Sequence, residues 1–156
     1  GAVALGPAGV RLTDTRLLLD SAAIRELVPR ARLVALGGEL ALDLLRLEAD
    51  RGLAFKAAAG ELRWLDAAAG VPDAYPLGDL LATLGTTPEG ALRLALRDQG
   101  GPLILDGDLD WAPDGGLRVS AEAGVRPDAP PQILNGLKNF GQPLAGGRYR
   151  LTFPAR

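Results

Sequence analysis

The chain has 156 residues, 17 Lys plus Arg against 19 Asp plus Glu for a formal net charge of −2, and no His, Cys or Met. The missing histidine and cysteine exclude serine–histidine triads, cysteine nucleophiles, metal sites of imidazole or thiolate, and any disulfide framework. Near-balanced charge with no dense basic block argues against nucleic acid as a partner.

With 47% hydrophobic and 23% charged residues, the composition suits one domain over residues 1–156. A chain lacking methionine and opening on Gly1 reads as the cut edge of a longer protein. No run approaches the roughly 20 apolar residues needed to cross a bilayer, and none looks like a signal peptide, so any membrane anchor is expected outside this chain.

From Val10 to Leu19, Arg11, Thr13 and Thr15 alternate with Leu12, Asp14 and Arg16. Such a weakly amphipathic run makes poor core but a tolerable edge strand. Ser21 is expected to cap a short helix in which Ile24, Leu27 and Val28 share a face and which Pro29 stops. Between Glu39 and Asp50 the apolar register moves from Leu40, Leu42 and Leu44 to Leu45, Leu47 and Ala49, which predicts a bulge near Leu44. Further strands are expected where Leu62 and Trp64 alternate with Glu61 and Arg63, and where Leu80, Ala82 and Leu84 alternate with Leu81 and Thr83.

The clearest strand places Leu92, Leu94 and Leu96 opposite Arg93, Ala95 and Arg97. The next sets Leu103, Leu105, Leu109 and Trp111 against Ile104, Asp106, Asp108 and Asp110, and a third sets Leu117, Val119, Ala121 and Ala123 against Arg118, Ser120 and Glu122. Gln99-Gly100-Gly101-Pro102 and Pro113-Asp114-Gly115-Gly116 supply the reversals between them. A second helix is expected after Asp128, with Pro130 and Pro131 in its first turn, Ile133, Leu134 and Leu137 on one stripe, and an end at Gly141. Tyr149, Leu151 and Phe153 form a last strand behind Gly146-Gly147. The fold class is therefore mainly β: a curved or sandwich-like antiparallel sheet with two short helices. Its leucine faces are expected to close into a core beneath the helices, with Trp64 and Trp111 in that core. The rival is a groove in which Leu92, Leu94, Leu96, Leu103 and Leu105 hold a lipid or other hydrophobic ligand.

The chemical constellations are weak. Asp106, Asp108, Asp110 and Asp114 suggest calcium, but Trp111 stands where the helix–loop–helix pattern needs glycine and Leu117 where it needs glutamate, so the stripe reads as a solvated face. Paired carboxylates can hydrolyse glycosides without histidine, yet no polar cleft with aromatic platforms is indicated. The paired glycines belong to no phosphate-binding loop. The expectation is no catalytic site, no cofactor and no metal.

One resemblance adds to this reading. Leu36-Gly37-Gly38-Glu39-Leu40, Gly60-Glu61-Leu62-Arg63-Trp64, Pro76-Leu77-Gly78-Asp79-Leu80, Gly101-Pro102-Leu103-Ile104-Leu105-Asp106-Gly107, the Asp114-Gly115 turn, Val125-Arg126-Pro127 and Gly147-Arg148-Tyr149-Arg150-Leu151 occur in that order. The series resembles the periplasmic region of general secretion pathway protein N, the N component of the bacterial type II secretion system. The resemblance implies a non-enzymatic accessory or scaffold role at the periplasmic face of the inner membrane, with contacts to the outer-membrane secretin and to inner-membrane components. It also implies kinship with long, curved periplasmic sheets that hold acyl chains. An open sheet edge is the natural contact surface, because a partner strand can extend it with main-chain hydrogen bonds. The candidate edges are Val10 to Leu19 and Arg148 to Phe153, with Arg11, Thr13, Thr15, Leu17, Arg148, Arg150 and Thr152 as partner-binding residues.

Overall fold

The computed structural model describes residues 1–27 and 34–153. Ten strands follow one another: β1 (Ala2–Gly6), β2 (Gly9–Asp20), β3 (Ala35–Asp50), β4 (Phe55–Gly70), β5 (Tyr75–Thr86), β6 (Leu92–Asp98), β7 (Leu103–Trp111), β8 (Leu117–Val125), β9 (Gln142–Pro143) and β10 (Tyr149–Phe153). They form one open sheet in the order β1 to β8, then β10 and β9, with every pair antiparallel. Carboxylates tighten the reversals. Asp50 Oδ1 accepts from the backbone N–H groups of Gly52 and Ala54 (2.8 and 3.0 Å), and Asp114 Oδ1 accepts from that of Gly116 (2.8 Å).

Because side chains alternate along each strand, the pairing register carries one apolar face across the molecule. Leu62 lies beside Leu42 and Ala82, Leu94 beside Leu84 and Leu109, and Val119 beside Leu109 and Phe153. The other face is polar, with rows such as Arg97, Asp106, Glu122 and Arg150 on neighbouring strands. The bulge expected near Leu44 is present as a register shift between Leu44 and Arg46 of β3. Gly60 of β4 faces it with φ 152°, where a Cβ would run into the Asp43 carbonyl.

The second helix, α2 once the segment Ala22–Leu27 is counted as α1, spans Pro131–Phe140. Its Ile133 and Leu137 are buried with Leu103 and Ala123 in a cluster that Leu80, Leu105, Tyr149 and Leu151 extend. Gly141 closes the helix by donating its N–H to the Leu137 carbonyl (2.7 Å).

Several expectations are corrected. The described residues form a single sheet, so the sandwich-like alternative does not apply. The helical content is α2, the turn and a half of α1, and a 3-10 turn at Ala145–Gly147 that the sequence did not suggest. At α1 the cap is Asp20, whose Oδ1 accepts from the Ala22 N–H (2.8 Å), while the Oγ of Ser21 is buried without a hydrogen-bond partner. The expected Val28 and Pro29 lie outside the described residues. A closed core beneath two helices is not what forms: α2 packs on β5, β8 and β10, while Leu42, Leu62, Leu92, Leu94 and Leu96 on the same apolar face are only half-buried. Trp64 is half-buried and donates from Nε1 to the Gly37 carbonyl (2.8 Å), whereas Trp111, at the far end of β7, is 50% exposed. No helix among the described residues is long and apolar enough to cross a membrane.

Candidate interaction edges and the apolar face

The two expected edges stand at opposite ends of the strand order, so the seven candidate residues form two surfaces. β2 pairs with β3 over its whole length, from Gly9 opposite Asp50 to Asp20 opposite Glu39. On its other side β1 covers only Gly9 to Thr13. Arg11 and Thr13 are therefore flanked on both sides, by Ala4 and Glu48 and by Ala2 and Arg46, which corrects their placement on an open edge. Thr15 and Leu17 pair with Leu44 and Leu42, and beyond Thr13 no strand among the described residues lies on the other side of β2.

The expected alternation also breaks between Thr13 and Thr15. Asp14 sits at φ 46° opposite the Leu45 bulge, and this extra residue on each strand puts Thr13 on the polar face with Arg46 and Thr15 on the apolar face with Leu44. After it, Thr15, Leu17 and Leu19 share the apolar face, and Arg16, Leu18 and Asp20 the polar one. Leu17, Leu18 and Leu19 are 45%, 68% and 41% exposed. The sequence does signal this stretch: three consecutive leucines cannot alternate, so one of them must face the polar side.

Electrostatics fix the covered half of β2 more firmly than the open half. Glu48 meets both Arg46 (2.8 Å) and Arg11 (2.7 Å), and these guanidinium groups, Arg46 first, hold its carboxyl below the usual carboxylate range. Arg16 reaches Asp43 at 2.6 Å but stays mostly in solvent.

At the other end, β10 pairs with β8 from Tyr149 opposite Ala123 to Phe153 opposite Val119. β9 covers Tyr149 and Arg150 on the outer side. Arg150 is thus flanked by Glu122 and Gln142, and Arg148 lies before the strand, its carbonyl accepting from the Leu144 N–H (2.7 Å). Thr152 is the candidate whose outer side no described strand covers.

Within the acidic stripe of β7, Asp110 is taken up by a cross-strand ion pair. Arg93 binds both carboxylate oxygens of Asp110 at 2.7 Å, which holds that carboxyl below its ordinary range. No group of three or more potential metal-binding side chains occurs among the described residues.

The described residues thus form one alternating antiparallel sheet with the candidate residues towards its two ends. Against this geometry, residues 1–152 match the family model described as type II secretion system (T2SS), protein N. The chain belongs to the type II secretion system protein N family. Membership makes it a secretion-system component of a family with an accessory role. No curated protein and no solved structure matches the chain.

Proposed function

We propose that this protein N family member is a non-enzymatic scaffold component of the secretion system. It sits at the periplasmic face of the inner membrane and contacts the periplasmic domains of the secretin and inner-membrane components through exposed sheet edges. The family match over nearly the whole chain carries the reading, and Thr15–Asp20, on whose outer side no strand lies among the described residues, gives it a surface. A partner strand laid there gains backbone hydrogen bonds, while Thr15, Leu17 and Leu19 on one face and Arg16, Leu18 and Asp20 on the other set the side chains it must match. The outer side of Leu151 and Thr152, where no described strand pairs with β10, is the second contact.

Titration calorimetry against the purified periplasmic domains of the cognate secretin tests this. Saturable binding is expected, and Leu17→Lys combined with Leu18→Lys, one charge on each face of the open segment, should abolish it. Both side chains are exposed, so the far-UV circular dichroism of the variant should match the parent. Binding that survives the double substitution would count against the β2 edge.

A second reading rests on the apolar face. Outside the cover of α2, Leu40 and Leu44 are buried, but Leu42, Leu62, Leu92, Leu94 and Leu96 remain half-buried, and Val3, Leu5, Val10, Leu17, Leu19 and Trp111 along the face are exposed. An acyl chain makes no hydrogen bonds and can lie along such a face, which makes lipid or another hydrophobic ligand the alternative cargo. Brominated fatty acid should then quench the fluorescence of Trp111, and of Trp64 on the same face, in the parent. No quenching at saturating fatty acid would reject the lipid reading.

A further inference from the structure

The strand register brings the β3–β4, β5–β6 and β7–β8 reversals to one end of the sheet. Phe55, just past the first, donates its N–H to the Gly90 carbonyl in the second (2.8 Å), while Thr86, Leu92, Trp111 and Leu117 lie side by side at the feet of the second and third. The tips 51–54, 87–90 and 112–116 therefore stand in one row, two strand spacings or about 10 Å apart. Leu53 is the anomaly in that row. It is 58% exposed, lies outside the buried cluster, and has φ 60°. The other non-glycine residues with positive φ among the described ones are Asp14 and Asp66, and aspartate enters this backbone region far more readily than leucine does. Strain that the fold does not use collects at sites of function.

The tips are also poor in free charge and in free donors. Arg51 and Glu89 are exposed, whereas Asp114 is turned onto the Gly116 N–H. Asp50 Oδ1 takes the N–H groups of Gly52 and Ala54, and the Asp50 carbonyl takes that of Leu53 (3.1 Å). Gly90 donates to the Thr87 carbonyl (3.0 Å) and Gly115 to the Ala112 carbonyl (2.9 Å). Side chains on such turns can leave water without stranding a backbone donor. We propose that this row of turns rests on a lipid bilayer bearing anionic headgroups, with Leu53 and Trp111 entering the boundary between headgroups and acyl chains and Arg51 meeting a lipid phosphate. A straight row of tips meets a plane along its whole length. Tryptophan, an apolar ring with one N–H, suits that boundary. Arg51, which makes no ion pair among the described residues, adds the attraction of a cation to an anionic surface. Neither sheet edge takes part and the strands behind the tips stay in water, so this contact is separate from the proposed secretin contact and from an acyl chain held along the apolar face.

Co-sedimentation of the whole 156-residue chain with vesicles of equal parts phosphatidylcholine and phosphatidylglycerol is the test. One leucine and one tryptophan offer less apolar surface than a myristoyl chain, so half of the protein should bind only above about 0.1 mM lipid, and less of it as salt is raised. Leu53→Gly should weaken binding about tenfold. Because glycine enters positive φ freely, the same substitution should raise the urea midpoint, whereas a leucine kept for the fold would give a lower one. Phospholipid brominated on its acyl chains should quench Trp111 in the parent and leave Trp111→Phe unquenched, since Trp64 lies about 30 Å from the tips along β4. No vesicle binding by the parent at about 10 mM lipid, a Leu53→Gly variant with unchanged binding or lowered stability, or quenching that persists in Trp111→Phe would overturn the proposal. A Leu53→Gly variant that binds vesicles like the parent but no longer binds the secretin domains would overturn it too, and would give the tips to a protein partner.

Discussion

Replacing Asp98 removes the tie between the β6–β7 reversal and the end of β8, directly beside the cluster under α2. The Asp98 carboxylate accepts from the backbone N–H groups of Leu105 and Gly100, both at 3.0 Å, and from Arg126 Nη1 at 2.9 Å. Arg126 in turn donates to the carbonyl of Gly101 at 2.5 Å. The Asp98 side chain is only 12% exposed, so solvent replaces these bonds poorly. At roughly 1 kcal/mol net for each of three bonds, Asp98→Ala should cost about 3 kcal/mol, and Asp98→Asn, which keeps one acceptor, about 2 kcal/mol. For a chain of this size Asp98→Ala should lower Tm by about 6 to 12 °C. Burial pushes the Asp98 carboxyl up, but the N–H groups of Leu105 and Gly100 together with Arg126 outweigh it and hold the group below its ordinary value. A carboxyl depressed in the folded state contributes stability that is complete above about pH 4 and is lost as pH falls through the folded-state value. Urea unfolding at pH 7 and at a series of lower pH values measures both effects. The parent should lose stability toward acid more steeply than Asp98→Asn. Equal stability of parent and Asp98→Ala at pH 7, or parallel acid curves for parent and Asp98→Asn, would refute the reasoning.

Leu137→Ala removes a buried side chain from the α2 cluster and should cost about 2 to 4 kcal/mol, read as a lower urea midpoint with an unchanged slope. Gly107→Ala brings a Cβ into the Ala121 side chain and the Ser120 carbonyl, so it should destabilise by about 1 to 3 kcal/mol although it adds a single methyl group. Arg93→Ala breaks a two-point ion pair at the sheet surface, with Arg93 about half exposed, and it should change stability by about 1 kcal/mol, with the difference shrinking in high salt.

The strands legible in the sequence are those where leucine alternates with charge. β6, β7 and β8 follow the expected faces residue by residue, and the bulge near Leu44 falls where the apolar register jumps. The flanks of β4, Ala57–Ala59 and Ala67–Ala69, were not legible because alanine marks neither a face nor a strand preference. β1 escaped for a similar reason: its five apolar or small residues show no polar alternation, and only pairing with β2 defines it. That unseen strand moved Arg11 and Thr13 off the edge, while the positive φ of Asp14 moved Thr15 to the other face. Periodicity located the apolar face, yet it carries no information on what lies over that face. The expectation of a closed core failed there, and Trp111 with it.

Amide hydrogen exchange of the chain, alone and mixed with the periplasmic domains of its secretin, tests the central claim most directly, because it reports on each backbone group of the edge. The expected result is slowed exchange confined to Thr15–Asp20 of β2 and the end of β10. Unchanged exchange along both edges in a mixture that demonstrably forms a complex would contradict it.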